Sequence, residues 1–367
     1  MRIMKELKQI EVVHTRNRSS IHYNRLLYAN SVQSDFVYVD FKLRWHDVPA
    51  PAWKRYLSWI VCSLTFPHRK KYDLFISSGP QFPIVLLKLF RRIRGTQKIV
   101  CYLGSETLYF LQVGRYGKLA AWMTKRALAY YDGYICNGPM QAELLKKIIN
   151  KKRNKIYINT NGLRENRRQR LLALEADLST HRILFIGDLY GDWRAWYKGI
   201  DLMAEAIDKI VNQLPRLLFT IVGRYDEHHV EEINRKFPSA GEHLRWIGHT
   251  EDVIPYLQRS SLYLHCSRGD AYPNAVVEAM AAGIPTIVSE WTGTKHLVSQ
   301  VSSSLISTLN PNCLAKRIIS YFNLSLNEKH RLAARGRNVV RTMTEEAAVQ
   351  RFQEIIWKLG NGIDAEQ

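Results

Sequence analysis

Within the stretch SRGDAYPNAVVEAMAAGIPTIVS, residues 267–289, two carboxylates, Asp270 and Glu278, stand eight positions apart on either side of a turn. In parallel sheets ligands gather where strand ends lead into helix starts. A helix start offers unpaired N–H groups and a partial positive charge, which suits a phosphate. Glu278, about one turn into the following helix, is a pure acceptor able to hold a sugar hydroxyl. Asp270 and Glu278 thus suit a nucleotide sugar, although a lone pair at this spacing more often describes a capped turn and a solvated helix residue.

The elements that position this pair are readable from the pattern. Residues 262–266, LYLHC, form an apolar strand. Asn274 caps a helix over 275–282, and Gly283 and Pro285 stop it before a second apolar run at 285–288. The same alternation fills the second half: strands at 183–186, 217–222 and 244–247, and helices near 200–213, 227–236 and 253–259. In the first half, strands are expected at 10–14, 36–40, 74–77, 98–102, 133–136 and 155–158. Such alternation implies parallel sheets covered on both faces, hence α/β and doubly wound. The charged, strandless segment 164–182 reads as the connection. The expected domains are 1–175, 176–345, and a helix and tail over 346–367 that packs back on the first. Ala347, Phe352, Ile355, Ile356 and Leu359 lie near one face of that helix.

A chain of 367 residues with 46% hydrophobic content supplies two ordinary cores. No uncharged apolar run reaches the roughly 18–20 residues needed to span a bilayer, and the start lacks the features of a signal peptide. Five scattered cysteines without C-x-x-C spacing suggest neither a zinc site nor a disulfide framework, and a cytoplasmic setting fits. Residues 1–180 carry 32 Lys and Arg against 12 Asp and Glu, while 181–367 carry 21 against 21. The whole excess of +20 therefore lies in the first half, which points to a polyanionic partner.

The runs FIGDLYGDWRAWYKGIDLMAEAI, FTIVGRYDEHHVEEI and LRWIGHTEDVIPYLQRSSLYLHCSRGDAYPNAVVEAMAAGIPTIVSEWTGTKHLV resemble, in order and spacing, the donor half of family 4 glycosyltransferases. The first half resembles that family's acceptor half only in architecture and in short runs such as YDLFISSGP, YICNGPMQAELL and KIYINTNGL. The resemblance implies two Rossmann-like domains facing a central cleft (type B glycosyltransferase architecture), a nucleotide-diphosphate sugar donor, and transfer with retention. It makes Asp270 and Glu278 the two positions of the family's E-x7-E element, with Asp270 one methylene short. Catalytic roles are expected of Asp270, Lys198 and Glu106. Donor binding is expected of Arg194, Lys198, Gly223, Val253, Ile254, Asp270, Tyr272, Asn274, Ala275 and Glu278, with the base against the loop 249–254. Where the family often has Arg, after Gly187, this chain has Asp188, and Arg194 is the substitute.

A leaving diphosphate needs neutralising. No D-x-D element stands out, so Lys198, Arg194 and the helix start are expected to serve without metal, and no cofactor is expected. After the first strand, Arg16, Arg18 and Ser19 are phosphate-loop candidates. The neighbours His228 and His229 are expected on different sides of a helix, as surface residues rather than metal ligands. Trp193, Trp196 and Tyr197 either cover the sugar or pack. The expected acceptor is a glycan or lipid-linked molecule at the inner face of the cytoplasmic membrane; the rival reading is a non-catalytic binder. Nucleic acid is not an expected partner, because no RNA- or DNA-binding module is present. The segments 51–71 and 82–98 combine apolar faces with Lys and Arg, as interfacial helices do. Residues 1–180 should therefore co-sediment with anionic but not neutral vesicles, high salt should weaken the binding, and charge reversal at Arg91, Arg92 and Arg94 should diminish it. Equal binding by the two halves would remove the membrane from this picture.

Overall fold

Short apolar runs such as LFISS, KIVCYL and GYIC are buried along nearly their whole length because helices cover both faces of the sheet they build. The computed structural model describes residues 12–14, 27–28, 30–32, 35–36, 57, 60–61, 64, 73–80, 82–93, 97–104, 106–149 and 155–362. The chain divides into two units, 1–160 with 348–367, and 161–347.

The first unit holds β1 (Val12–His14), β2 (Asp35–Phe36), β3 (Leu74–Ser78), β4 (Lys98–Leu103), β5 (Gly133–Cys136) and β6 (Ile156–Ile158), in the order β2-β1-β3-β4-β5-β6. The second holds β7 (Arg182–Ile186), β8 (Leu218–Val222), β9 (Leu244–Gly248), β10 (Leu262–His265), β11 (Thr286–Ser289) and β12 (Ile306–Ser307), in the order β12-β11-β10-β7-β8-β9. Every described pairing in both is parallel. Both units are Rossmann-like. In the second, the chain steps outward from β7 to β9, then returns to lay β10 on the other side of β7. The carboxyl ends of β7 and β10 therefore form the switch point at which such sheets take ligands.

Residues 161–175 belong to the second unit rather than the first. The reason is local: Leu163 accepts from Glu345 N and donates to Met343 O, and Leu171 and Leu174 of the charged segment are buried in the second core. That segment opens with a helix, Glu165–Leu172. The end of the chain joins the first core. Ala348, Phe352, Ile355, Ile356 and Leu359 cluster with Tyr28, Leu74, Ile76, Val100 and Ile135, and Phe352 stacks on Tyr28 at 5.2 Å. Lys98 Nζ caps the last carbonyls of this helix, Leu359 O at 2.7 Å and Gly360 O at 3.0 Å.

One residue decides where the following site can form. The helices Asp192–Lys198 and Ile200–Asp208 meet at Gly199, which is left-handed at φ 73°. A Cβ there would lie 2.1 Å from the Cys266 carbonyl oxygen. The missing side chain lets the end of the first helix approach the end of β10. Gly199→Ala combines left-handed strain of about 1–2 kcal/mol with that clash. It should lower unfolding free energy by about 2 kcal/mol or more in urea melts; an unchanged midpoint would show that the approach is not tight.

Candidate functional site

At the carboxyl end of β10 the chain turns through Ser267 to Asp270. Buried hydroxyls fix the turn: Ser289 Oγ donates to Ser267 O at 2.6 Å, Thr292 Oγ1 donates to His265 O at 3.0 Å, and Gly293 N donates to Asp270 O at 2.7 Å. The Asp270 carboxylate receives Lys198 Nζ at 2.5 Å and His265 Nε2 at 3.1 Å. The side chains of Asp270 and Lys198 are only 13% and 19% exposed. Burial alone would raise the Asp270 carboxyl, but Lys198 and the His265 N–H outweigh it and hold the acid well below the usual carboxylate range. His265, fully buried, is pushed below its ordinary value by desolvation, so it is the neutral imidazole that donates.

Lys198 is placed by Arg268. That guanidinium makes a fork to Asp201 at 2.8 and 2.7 Å, donates to Trp196 O, and lies 5.0 Å over the Trp196 ring. Arg268 N donates to Tyr197 O, and Tyr197 Oη donates to Gly269 O at 3.1 Å. Tyr197 and Trp196 thus join two loops, while Trp193 remains 41% exposed. His265 and Arg268 escaped the sequence reading because their partners are distant along the chain or lie in a turn.

The helix after the turn runs Asn274–Ala281, and its cap position is Pro273, without a side-chain cap bond. This corrects the expectation that Asn274 caps it: Asn274 is the first helical residue, and its Oδ1 accepts from Asn161 Nδ2 at 3.1 Å. Pro273 fills the cap position because its fixed φ suits the extended entry. The helix start, with Ala275 next, therefore has no side-chain oxygen across its amides. Glu278, one turn on, meets a partner the sequence reading missed: Arg167 grips both its oxygens at 2.7 and 2.6 Å. Tyr272 is buried, with its hydroxyl 3.7 Å from Met343 Sδ, so the side chain belongs to the core. Val253 is buried at the start of the helix Ile254–Gln258, where Asp252 Oδ1 accepts from Ile254 N at 3.1 Å.

Across the switch point, at the end of β7, Gly187 N donates to Val222 O, and Gly223, at φ 141°, approaches Gly187 so closely that a Cβ would lie 1.9 Å from its carbonyl oxygen. Gly223 thus serves strand packing. Asp188 draws together two arginines, Arg194 and Arg224, each at 2.7 Å from its Oδ2. Both are more than half exposed, and although burial opposes it, the pair keeps Asp188 below its usual value. Arg224 was not anticipated.

In the first unit, Glu106 occupies the cap position of the helix Thr107–Gln112 after β4, with no side-chain cap bond. Asn137 and Asn159 follow β5 and β6; both are buried, and Asn137 Oδ1 and both amide atoms of Asn159 have no hydrogen-bond partner. Arg16, Arg18 and Ser19 lie outside the described residues, as do Arg94 and most of 51–71. No helix among the described residues is long and apolar enough to cross a membrane.

Residues 180–323 match the family described as glycosyl transferases group 1. An uncharacterized glycosyltransferase of Haemophilus influenzae is 26% identical over 184 residues, covering 50% of this chain and 49% of that protein. The phosphatidyl-myo-inositol mannosyltransferase of Mycolicibacterium smegmatis is 31% identical over 111 residues, 29% of this chain and 27% of that protein. The match thus spans about half the length of the first relative and about a quarter of the second. The crystal structure of Anabaena HepE with UDP and glucose covers 94% of this chain and 98% of its own, at TM-score 0.65 and 13% identity. Together these findings support the type B glycosyltransferase superfamily as the class of fold.

Arg167 and Glu278 supply a direct test of the second ion pair. Removing one partner of a largely buried pair costs more than replacing both. Arg167→Met should cost about 2 kcal/mol in urea unfolding, and adding Glu278→Met should recover at least half of it. Strictly additive losses would mean that the two groups are independent.

Proposed function

We propose that this chain is a glycosyltransferase that transfers a sugar, with retention, from a nucleotide-diphosphate sugar to a glycan or lipid-linked acceptor at an anionic membrane face. The carrying observation is the buried Lys198–Asp270 pair at the switch point of the second sheet, beside the helix start at Asn274. A donor laid there would set its diphosphate against the amides of Asn274 and Ala275 and against Lys198. As the bond from the anomeric carbon to phosphate breaks, its electron pair passes to the diphosphate, where Lys198 opposes the growing charge. The acceptor oxygen bonds to the anomeric carbon on the departing face, and its proton goes to the leaving phosphate. Asp270, kept ionised, accepts from sugar hydroxyls, and Glu278, steadied by Arg167, retains lone pairs for the ribose.

Arg194 and Arg224 are held by Asp188 until a more highly charged phosphate competes for them. Glu106, Asn137 and Asn159 lie at or just past strand carboxyl ends and have chemistry suited to acceptor hydroxyls; Asn137 brings an unpartnered Oδ1 and Asn159 an unpartnered amide. The phosphate-loop role of Arg16, Arg18 and Ser19 rests on sequence alone. Fixed cations make a divalent ion unnecessary for the chemical step, and the basic half suits an anionic surface. The UDP bound to the Anabaena neighbour makes uridine nucleotides the first to test, and the phosphatidyl-inositol substrate named for the mycobacterial relative makes a lipid the first acceptor.

A second reading, a non-catalytic binder of the same ligand, is favoured by Asp188, whose single carboxylate engages both Arg194 and Arg224. Transfer assays with a panel of nucleotide sugars and membrane extract separate the two. Lys198→Ala should lower turnover about a hundredfold, equivalent to roughly 3 kcal/mol of barrier. Asp270→Asn should mainly lower turnover, and Glu278→Gln should mainly weaken nucleotide binding. Withholding Mg²⁺ and Mn²⁺ should change neither. Nucleotide binding without transfer or hydrolysis would establish the binder, and absence of both would sink the site.

A further inference from the structure

Away from the switch point, the helix Glu227–Lys236 opens with adjacent histidines, whose side chains were expected to diverge. They converge instead. The His228 and His229 rings lie 4.0 Å apart, and their Nε2 atoms stand 2.7 and 2.9 Å from the same Asp192 Oδ1. His229 turns inward and is 94% buried, while His228 stays at the surface, so neighbouring positions reach one point from different depths. Asp192 is the first residue of the helix that ends at Lys198. Among the described residues this is the one group of three such side chains whose ligating atoms all lie within 4.8 Å of one another.

A second observation concerns the other nitrogen of His229. If Nε2–H donates to Asp192, then Nδ1 is a bare lone pair, and that buried atom has no hydrogen-bond partner. The polar atom facing it is Asp226 Oδ2 at 3.9 Å, itself an acceptor from Gly191 N at 2.6 Å. An acceptor confronts an acceptor, which is an unfavourable arrangement in a buried place. A cation on Nε2 reverses it. The ring proton then resides on Nδ1, and a shortening of the 3.9 Å gap to Asp226 by about 1 Å makes the carboxylate pairing that orients metal-bound imidazoles.

We propose that Asp192, His228 and His229 bind a divalent transition metal of borderline softness, Zn²⁺ foremost, with Asp226 as the outer partner of His229. Two imidazoles and one carboxylate are the donors such ions prefer, whereas Ca²⁺ and Mg²⁺ favour oxygen shells. A tetrahedral ion at about 2.0–2.2 Å from each ligand places the ligand atoms about 3.3 Å apart. The two Asp192–histidine separations must therefore open by about half an ångström, which the exposed Asp192 and His228 side chains can supply. The fourth position falls to water, reached through an adjoining cavity of about 190 Å³ lined by Asp192, Trp196, Asp201, His229, Glu232 and Phe237. The ion ties the first turn of one helix to the first turn of another, and Lys198 lies six residues, about 9 Å, farther along the first. This site does not depend on the proposed transfer reaction.

The test is calorimetric titration of the full, untagged, chelator-treated chain with Zn²⁺, alongside the visible spectrum with Co²⁺. One saturable Zn²⁺ per chain, a tetrahedral Co²⁺ spectrum and a higher melting temperature with Zn²⁺ are expected. Asp192→Asn and His228→Ala, both surface changes, should each weaken binding at least about tenfold and abolish the thermal shift, with the circular dichroism spectrum unchanged. The proposal fails if binding occurs only at millimolar Zn²⁺, or if both variants bind as the parent does. In the first case the three side chains would form only a hydrogen-bonded cluster, and in the second the metal would belong to other histidines.

Discussion

The buried meeting of Lys198 and Asp270 is the contact around which the second unit is arranged. An ammonium and a carboxylate so far removed from water would each be costly alone. At 2.5 Å, with His265 as a further donor, they compensate each other and leave an ionised acid beside a fixed cation. The geometry is demanding because the two residues come from segments that follow different strands. Gly199 allows the approach, the Arg268–Asp201 fork holds the helix end, and the hydroxyls of Ser289 and Thr292 hold the turn.

Other charges around the switch point are paired at graded depth. Arg167 and Glu278 are mostly buried and bidentate, an arrangement that fixes direction as well as charge. Arg194 and Arg224 share Asp188 at the surface, where water and salt weaken the attraction and the side chains stay adaptable. Under the proposed function, the rigid inner pair would meet the neutral sugar and the adaptable outer set the polyanionic linkage. The helix from Asp192 to Lys198 belongs to both settings: its last residue enters the inner pair, and its first meets the two histidines.

Elsewhere in each unit, helices cover the sheet faces. The helix over 345–361 closes the first core with five apolar side chains, and Lys98 satisfies its final carbonyls. The segment 161–175, polar in composition, still contributes Leu171 and Leu174 to the second core and carries Arg167 to Glu278.

Periodicity in the sequence determined much of the α/β architecture. Apolar runs of four to six residues followed by amphipathic segments marked β7 to β11 of the second sheet within a residue or two, because a strand buried on both faces has few other compositions open to it, whereas the two-residue β12 is too short to carry such a run. The pattern around Asp270 and Glu278 marked the site, since a strand, a turn and a helix start must be consecutive in the chain. What only the tertiary structure decided were the partners: Arg167 for Glu278, Arg224 for Asp188, Arg268 and His265 for the turn, and Asp192 for two histidines that helical geometry alone would set apart. These pairs join residues up to 111 positions apart or bend a local rule through unequal burial. Their choice is made by sheet order and close backbone approach, neither of which has a local signature.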